Sequence, residues 1–267
     1  MTAIRQLTDI DAQDDTPAPT TAVPVDYPEP TRVKTPSHRK MLQLLDHAQK
    51  KRALALLVGA PGTGKTTAAK CHADSHREYG RTAYYINMLG VKTPASMLQT
   101  IAEDVRAPGS IWAYRNVSVL RALGNYLYEG DLLMLDEVQS LRIDALDMVR
   151  FFPDERGIGL VLMGNDLVFS AISGKNRRAS FAQLDSRVSM RLHIPHPTEA
   201  DANAVLSAWG ISDNSARDYG RQLALGPGGL RQLAHILRQA KIAAAATGLP
   251  LDHRLMHAAA SALGLTD

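Results

Sequence analysis

One run of the sequence, GAPGTGKT at residues 59–66, restricts the possible folds more than any other feature. It matches the pattern G-x-x-x-x-G-K-[S/T] in full, follows the apolar run Leu54–Val58 and begins a helical pattern near residues 65–78. Glycines in such a loop allow backbone N–H groups to close around phosphates, and the positive end of the following helix dipole adds to the attraction. The run therefore predicts a phosphate-binding loop between a strand and a helix of an α/β protein.

The motif also predicts individual contacts to a nucleotide. Lys65 is expected to reach the β- and γ-phosphates, and the Thr66 hydroxyl is expected to be a ligand of Mg²⁺. The predicted cofactors are therefore ATP and Mg²⁺. The predicted nucleotide-binding residues of this segment are Gly59, Ala60, Pro61, Gly62, Thr63, Gly64, Lys65, Thr66 and Thr67.

A second motif, LLMLDE at residues 132–137, places two carboxylates directly after four apolar residues. The carboxyl ends of parallel strands meet at the sheet edge where phosphates bind. Asp136 is accordingly expected to hold Mg²⁺ through water and to belong to the nucleotide site. Glu137 is expected to orient the attacking water or to accept its proton. The alternative is that the two acidic residues simply begin a helix, where the dipole favours them.

A third apolar run, Gly159–Met163, is also followed by polar residues. If its strand lies beside that of Asp136, Asn165 can hydrogen-bond the γ-phosphate or the attacking water, and we count it among the catalytic residues with Lys65 and Glu137. The alternative is that Asn165 and Asp166 serve only as helix N-caps.

Short apolar runs alternate with helical patterns up to residue 194, which predicts a parallel sheet covered by helices on both faces. After Pro197 only helical patterns follow, and Thr198 can cap the first of them. The predicted strands are Leu54–Val58, Ala83–Met88, Leu132–Asp136, Gly159–Met163 and Arg191–Ile194, and the predicted helices lie near residues 65–78, 94–106, 118–129, 141–151 and 166–186.

These patterns divide the chain into three parts. Residues 1–36 contain six prolines and few large apolar side chains, so they are predicted to form a disordered Pro-rich arm. An α/β nucleotide-binding domain is expected over residues 37–197, and a small all-helical domain over residues 198–267.

Composition excludes several classes of protein. The single cysteine, Cys71, excludes a disulfide framework. No apolar run approaches the roughly 20 residues that cross a bilayer, so a cytoplasmic protein without membrane contact is expected. The net charge of +3 is too small to predict a nucleic-acid partner by itself.

The motifs resemble those of the AAA+ ATPases, in which a five-stranded parallel P-loop sheet flanked by helices precedes a small all-helical lid domain. The resemblance rests on the phosphate-binding loop, LLMLDE, VLMGN at 161–165, LDSRV at 184–188 and GPGGLR at 226–231. More narrowly, the run VGAPGTGKTTAAK … YYINM … TPASMLQTIAEDV … LLMLDEVQSL … GLVLMGND is similar to the MuB/TnsC group of transposition ATPases, to which the IstB type is related.

This resemblance implies roles for two arginines. Arg187, before the fifth strand, would reach the γ-phosphate of a neighbouring subunit as a catalytic finger, with Arg191, Arg177 and Arg178 as alternatives. Arg231, at the start of a lid helix, would contact the nucleotide of its own subunit. A finger that acts on a neighbour implies a head-to-tail homo-oligomer, either a ring or a helical filament.

The resemblance also implies DNA and a transposase as partners. The leading hypothesis is an ATPase that assembles on double-stranded DNA through sequence-nonspecific backbone contacts, marks a target and recruits or activates a DDE-type transposase. ATP hydrolysis would drive disassembly. The alternatives are a helicase-like or clamp-loader-like ATPase of replication, or an ATP-gated protein scaffold or switch. The candidate DNA contacts, which can also be read as ordinary charged loop residues, are Lys92, Arg115, Lys175, Arg177 and Arg178.

Overall fold

The computed structural model describes residues 32–75, 81–109, 116–168 and 182–265. The chain divides into two compact units. The first, termed the α/β unit, spans His38–Pro195. The second, termed the helical unit, combines the segment that ends at Ser37 with the residues from His196 onward.

The α/β unit is built on a five-stranded parallel sheet. Its strands are β1 Leu54–Gly59, β2 Ala83–Asn87, β3 Leu132–Asp136, β4 Gly159–Gly164 and β5 Val188–Ile194. They lie in the order β2-β3-β4-β1-β5. Alternate residues of β1 enter two different apolar clusters, Leu54 and Leu56 on one face and Ala55 and Leu57 on the other. The predicted parallel sheet covered on both faces is therefore confirmed.

Helices flank this sheet. Those that the structure describes before β5 are α1 Pro36–Lys51, α2 Lys65–Ser75, α3 Pro94–Asp104, α4 Asn116–Tyr126, α5 Ile143–Met148, α6 Phe151–Arg156 and α7 Ala182–Arg187. The start of α3 follows the local signals in the sequence. The Thr93 side chain accepts a hydrogen bond from the backbone N–H of Ser96, the Ser96 side chain accepts one from the backbone N–H of Thr93, and Pro94 occupies the first helical position.

The single helix predicted over residues 141–151 is wrong. The segment after β3 forms a 3₁₀ turn at Val138–Ser140 and then the two short helices α5 and α6. Pro153 has no N–H to donate to the residue four positions before it, so a proline here is tolerated only within the first turn of a new helix. The sequence contains this signal, and the apolar periodicity alone conceals it.

Strand β5 begins at Val188, three residues before the predicted Arg191. Its side chains alternate between inward and exposed positions, and Val188 and Ile194 are buried at the two ends. This alternation is typical of an edge strand, whereas the prediction relied on a continuous apolar run. Of the helix predicted near 166–186, residues 169–181 lie outside the described residues.

The helical unit contains only helices among its described residues from 198 to 265. Thr198 caps the first of them with a capping box, as the sequence predicted. Trp209, Leu206 and Met256 lie in the apolar core of this unit. None of the described helices is long and apolar enough to cross a membrane. The helices are α8 Glu199–Ala208, α9 Asn214–Leu225, α10 Gly229–Thr247 and α11 His253–Ala262.

A buried carboxylate, Asp201, joins the two parts of the helical unit. It accepts hydrogen bonds from the backbone N–H and hydroxyl of Ser37 at 2.8 and 2.7 Å, and from the backbone N–H and hydroxyl of Thr198 at 2.9 and 2.7 Å. Burial alone would raise the pKa of Asp201, but the hydrogen bonds from Ser37 and Thr198 outweigh it, so the pKa lies below the ordinary value of an aspartate.

Asp201→Asn is expected to lower the free energy of unfolding by about 2–3 kcal/mol near neutral pH, because the new amide N–H₂ would face hydrogen-bond donors in a buried site. The folded-state pKa is depressed, so the contribution of the carboxylate is complete above the unfolded pKa of about 3.9 and is lost as the pH falls through the folded pKa. Denaturant titrations at several pH values should therefore show that the free energies of unfolding of the variant and the wild type approach each other below about pH 4.

The matched control for this experiment is Asp213→Asn. Asp213 caps α9 from an exposed position through one hydrogen bond from the backbone N–H of Ala216, at 2.7 Å. Asparagine caps helices as well as aspartate does, so this variant should unfold like the wild type. If Asp201→Asn lowers the free energy of unfolding by the same amount at every pH, the role assigned to the carboxylate is contradicted.

Candidate nucleotide site at the carboxyl edge of the sheet

The predicted phosphate-binding loop connects β1 to α2 and depends on two glycines. A Cβ at Gly59 would lie 2.0 Å from the carbonyl oxygen of Ile194 in β5, so no larger residue fits. Gly64 has a φ of +95°, a backbone conformation that residues other than glycine rarely adopt. These glycines allow the chain to pass close to β5 and then to turn into α2.

Lys65 is the first residue of α2, and its ammonium group lies against the loop backbone. The Nζ donates to the carbonyl oxygens of Gly59 and Ala60 at 2.8 and 2.9 Å. The buried Thr63 hydroxyl donates to the same Ala60 carbonyl at 2.9 Å. Thr67 and Pro61 are exposed, and Gly62 is half-buried. The loop thus holds one positive charge beside the amino end of a helix.

Thr66 and Asp136 lie 70 residues apart in sequence, and the structure brings them into contact. The Thr66 hydroxyl donates to Oδ2 of Asp136 at 2.7 Å, while the backbone N–H of Glu137 donates to Oδ1 at 2.9 Å. Asp136 is 2% exposed at the end of β3. The two residues predicted to hold the metal therefore form one hydrogen-bonded pair.

Tyr85 also contacts this pair, and sequence reasoning missed it. Its hydroxyl donates to Oδ2 of Asp136 at 3.1 Å. Burial and the neighbouring charge of Asp136 raise the pKa of Tyr85 well above its usual range, so the hydroxyl keeps its proton at neutral pH. The sequence places two consecutive tyrosines in β2, but only the strand order and register show which one reaches Asp136.

Glu137 has a left-handed backbone, with φ of 60° and ψ of 36°, which is uncommon for a residue other than glycine. Its side chain makes no capping hydrogen bond to the following 3₁₀ turn and instead accepts one from Nε2 of Gln139. Oε1 of Gln139 is buried without a hydrogen-bond partner among the described residues. Strained backbone of this kind is concentrated at functional sites. Gln139 is a second neighbour of the site that sequence reasoning missed.

Asn165 follows β4, the strand that lies between β1 and β3. Its side-chain oxygen accepts a hydrogen bond from the backbone N–H of Leu167 at 3.0 Å, so the capping role left open by the sequence is present. Asp166 contacts Nε2 of His193 in β5 at 2.8 Å and is exposed. Asn165 lies at the same sheet edge as Asp136, and its side-chain nitrogen is the group that could serve a nucleotide.

Arg187 is the last residue of α7, directly before β5, as predicted. Its side chain is 54% exposed and forms an ion pair with Asp154 of α6 at 2.9 Å. Arg191, the alternative candidate for the arginine finger, donates to the backbone oxygen and the carboxylate of Asp185 at 2.6 and 2.9 Å. Of these two arginines, Arg187 has the more exposed side chain.

Arg231 is the third residue of α10 in the helical unit and is exposed. Gly228, with a φ of +85°, precedes this helix.

Lys92 is exposed in the loop between β2 and α3, and its carbonyl oxygen accepts a hydrogen bond from the backbone N–H of Arg142 at 2.9 Å. The other candidate DNA contacts lie outside the described residues: Arg115, Lys175, Arg177 and Arg178.

The residues at this edge fit a nucleotide with a magnesium ion. Mg²⁺ prefers oxygen ligands and is usually held by one or two protein oxygens together with phosphates and water. Thr66 and Asp136 supply a hydroxyl and a carboxylate 2.7 Å apart, and the loop supplies the ammonium of Lys65 and a helix amino end. Elsewhere in the described part of the chain, no group of three or more His, Cys, Asp or Glu residues could hold a metal.

Comparison with known proteins agrees with this geometry. A family model described as an AAA domain matches residues 47–169. Among solved structures, Cdc6p from Pyrobaculum aerophilum is similar, with a TM-score of 0.61 at 21% identity. The match covers 83% of this chain and 65% of that one, and it concerns the fold alone. The sheet, the phosphate-binding loop and the helical region after β5 define a protein of the AAA+ P-loop class.

The helical region carries a second match, to the model of the Mu B transposition protein C-terminal domain over residues 186–263. This chain is 36% identical over 229 residues to the ATP-dependent target DNA activator B of Escherichia phage Mu, covering 84% of this chain and 70% of the phage protein. The chain therefore belongs to the Mu B transposition protein family. It is 32% identical over 208 residues to the Mu-like prophage FluMu DNA transposition protein B of Haemophilus influenzae, covering 76% and 70%. The resemblance to the MuB group is thus confirmed.

Proposed function

We propose that this protein is an ATP-dependent regulator of DNA transposition that assembles on double-stranded DNA. The observation that carries the proposal is the hydrogen bond between Thr66 and Asp136, which joins the two nucleotide-binding motifs at one sheet edge. The family membership supports the biological setting, since the relative from phage Mu bears the name ATP-dependent target DNA activator.

Within this proposal the protein hydrolyses ATP. Lys65 binds the β- and γ-phosphates, Asp136 and Thr66 hold Mg²⁺, and the remaining loop residues surround the phosphates with backbone N–H groups. A magnesium ion held by these two residues would supply positive charge against the negative charge that develops on the transferred phosphoryl group. Glu137 orients the attacking water and accepts its proton, and Gln139 restricts the position of its carboxylate through their hydrogen bond. Asn165 donates its side-chain N–H to the γ-phosphate or to the water.

We extend the proposal to assembly. Arg187 is exposed at the end of α7 and is available to the γ-phosphate of a neighbouring subunit. Each subunit then offers its finger on one surface and its nucleotide on another, so the contact is heterologous and produces a ring or a helical filament. Arg231 of the helical unit, acting as the lid, contacts the nucleotide of its own subunit. ATP in the contact between subunits favours assembly, and its hydrolysis loosens it.

DNA is the proposed template for this assembly, and a DDE-type transposase is the proposed partner that is recruited or activated there. Lys92 is exposed beside Arg142 and can contact the phosphate backbone. Arg115, Lys175, Arg177 and Arg178 are proposed to do the same on sequence grounds. Contacts of this kind supply affinity without sequence information.

The two alternative functions remain distinguishable from the proposal. A replication-type ATPase resembling a helicase or clamp loader would act on forked or single-stranded DNA. A protein scaffold gated by ATP would assemble without DNA. The family membership favours transposition over both, because the second matched model is specific to a transposition protein.

Electron microscopy of the full chain with duplex DNA and a non-hydrolysable ATP analogue is expected to show rings or helical filaments around the DNA. The binding should weaken steeply with salt and depend little on sequence, because backbone contacts release counterions. Omission of the nucleotide is the control and should leave the DNA bare. Bare DNA in the presence of the analogue, or a strong preference for one DNA sequence, would contradict the proposal.

A further inference from the structure

The environment of Tyr85 suggests a role that the nucleotide motifs do not include. Tyr85 lies opposite Met134 in the parallel pairing of β2 with β3, so Asp136 is the next residue along β3 on the same face. A long side chain reaches such a diagonal neighbour, and the Tyr85 hydroxyl donates to Oδ2 of Asp136 at 3.1 Å.

The ring of Tyr85 also has a cationic neighbour on α2. Nζ of Lys70, on α2, lies 5.1 Å from the centroid of the ring, a distance at which an ammonium is attracted to the aromatic face. Tyr85 therefore connects the helix that follows the phosphate-binding loop to the carboxylate at the end of β3. Both elements also meet through Thr66 and Asp136.

We propose that Tyr85 is a positioning residue for the magnesium site, an inference that rests on the proposed ATPase function. Three donors orient the carboxylate of Asp136: the hydroxyls of Thr66 and Tyr85 on Oδ2, and the backbone N–H of Glu137 on Oδ1. The two other donors belong to the motifs at residues 59–66 and 132–137, whereas Tyr85 comes from β2, which lies outside both motifs. Groups that orient metal ligands in this way typically contribute 10–100-fold to metal affinity.

Tyr84 provides a matched control, because it lies in the same strand and points to the opposite face of the sheet. Tyr84 packs against the cluster that contains Leu133 and Leu135, whereas Tyr85 packs against the cluster that contains Leu132 and Met134. Replacing either tyrosine by phenylalanine removes one hydroxyl from β2 and keeps the ring. Only the change at Tyr85 removes a hydrogen bond to Asp136.

The test measures binding of a fluorescent ATP analogue to the full chain as Mg²⁺ is added from a metal-free starting point. Tyr85→Phe is expected to raise the Mg²⁺ concentration for half-maximal enhancement of binding by about 10-fold or more. The affinity of this variant for the analogue without metal, and its unfolding temperature, should stay close to those of the wild type. Tyr84→Phe should leave the Mg²⁺ dependence unchanged.

Two results would overturn the inference while the proposed function stands. One is a Tyr85→Phe protein with the Mg²⁺ dependence of the wild type. The other is a Tyr85→Phe protein that binds the analogue more weakly without metal and unfolds at a lower temperature, with no further loss when Mg²⁺ is added. That result would make Tyr85 a packing residue. A wild-type protein that binds no ATP analogue at any Mg²⁺ concentration would overturn the proposed function, and this inference with it.

Discussion

Replacement of Glu137 by glutamine is expected to lower the rate of ATP hydrolysis by about 10²–10⁴-fold while ATP-dependent assembly on duplex DNA persists. Glutamine keeps the shape of the side chain but cannot accept a proton from the attacking water. The hydrogen bonds that hold Asp136 come from the Glu137 backbone, Thr66 and Tyr85, and none of them involves the side chain that is changed. The measurements are steady-state phosphate release and electron microscopy on DNA.

Glu155→Gln is the control for this variant, because Glu155 is an exposed glutamate on α6 of the same unit. It should hydrolyse ATP at the wild-type rate. If Glu137→Gln hydrolyses ATP normally, Glu137 has no part in the chemistry. If it also loses ATP-dependent assembly, the residue is needed to shape the strained backbone after β3, and its assignment as the base is wrong.

Replacement of Arg187 by alanine is expected to lower hydrolysis in the assembled state by about 10³–10⁵-fold, the range measured for arginine fingers. Nucleotide binding by the isolated chain should change little, because the charge acts on a neighbouring subunit. The critical experiment mixes this variant with Glu137→Gln. Each protein alone is inactive, but a Glu137→Gln subunit can offer its finger to the intact site of an Arg187→Ala subunit.

In a random equal mixture about a quarter of the head-to-tail contacts have this productive pairing, so a corresponding share of activity should return. A mixture that stays inactive would show that Arg187 does not act between subunits.

Asp154→Ala is the companion variant, because it breaks the ion pair with Arg187 and leaves the arginine in place. A half-exposed pair of this kind contributes at most about 1 kcal/mol, so this variant should keep its activity. An Asp154→Ala protein as inactive as Arg187→Ala would assign the effect to the ion pair.

The sequence predicted the sheet well because each buried strand is a short local signal. β1, β3 and β4 are buried from end to end and almost wholly apolar, and this is the pattern of strands covered on both faces. The prediction was weaker where local signals compete. From residue 141 onward the apolar periodicity concealed Pro153, which lies in the first turn of α6. At β5 the prediction missed the alternation of exposed and less exposed side chains that the edge of the sheet allows.

The candidate site divides in the same way. Lys65, Thr66, Asp136 and Glu137 could be identified because the chemistry of phosphate binding requires particular residues within a few positions of a strand end. Tyr85 and Gln139 could not be identified, because tyrosine inside a strand and glutamine in a turn are ordinary in isolation. Their significance depends on the Asp136 carboxylate and the Glu137 side chain that they contact.

By itself the sequence determined the phosphate-binding loop, the succession of strands and helices, and the class of protein, since each depends on residues that are close together in the chain. Only the tertiary structure decided that Thr66 meets Asp136 across 70 residues and that Ser37 meets Asp201 across 164. It also placed Tyr85 beside Thr66 and Asp136, the pair proposed to hold the metal. These contacts depend on strand order, register and the packing of one helix against another, which are non-local properties that no short pattern encodes.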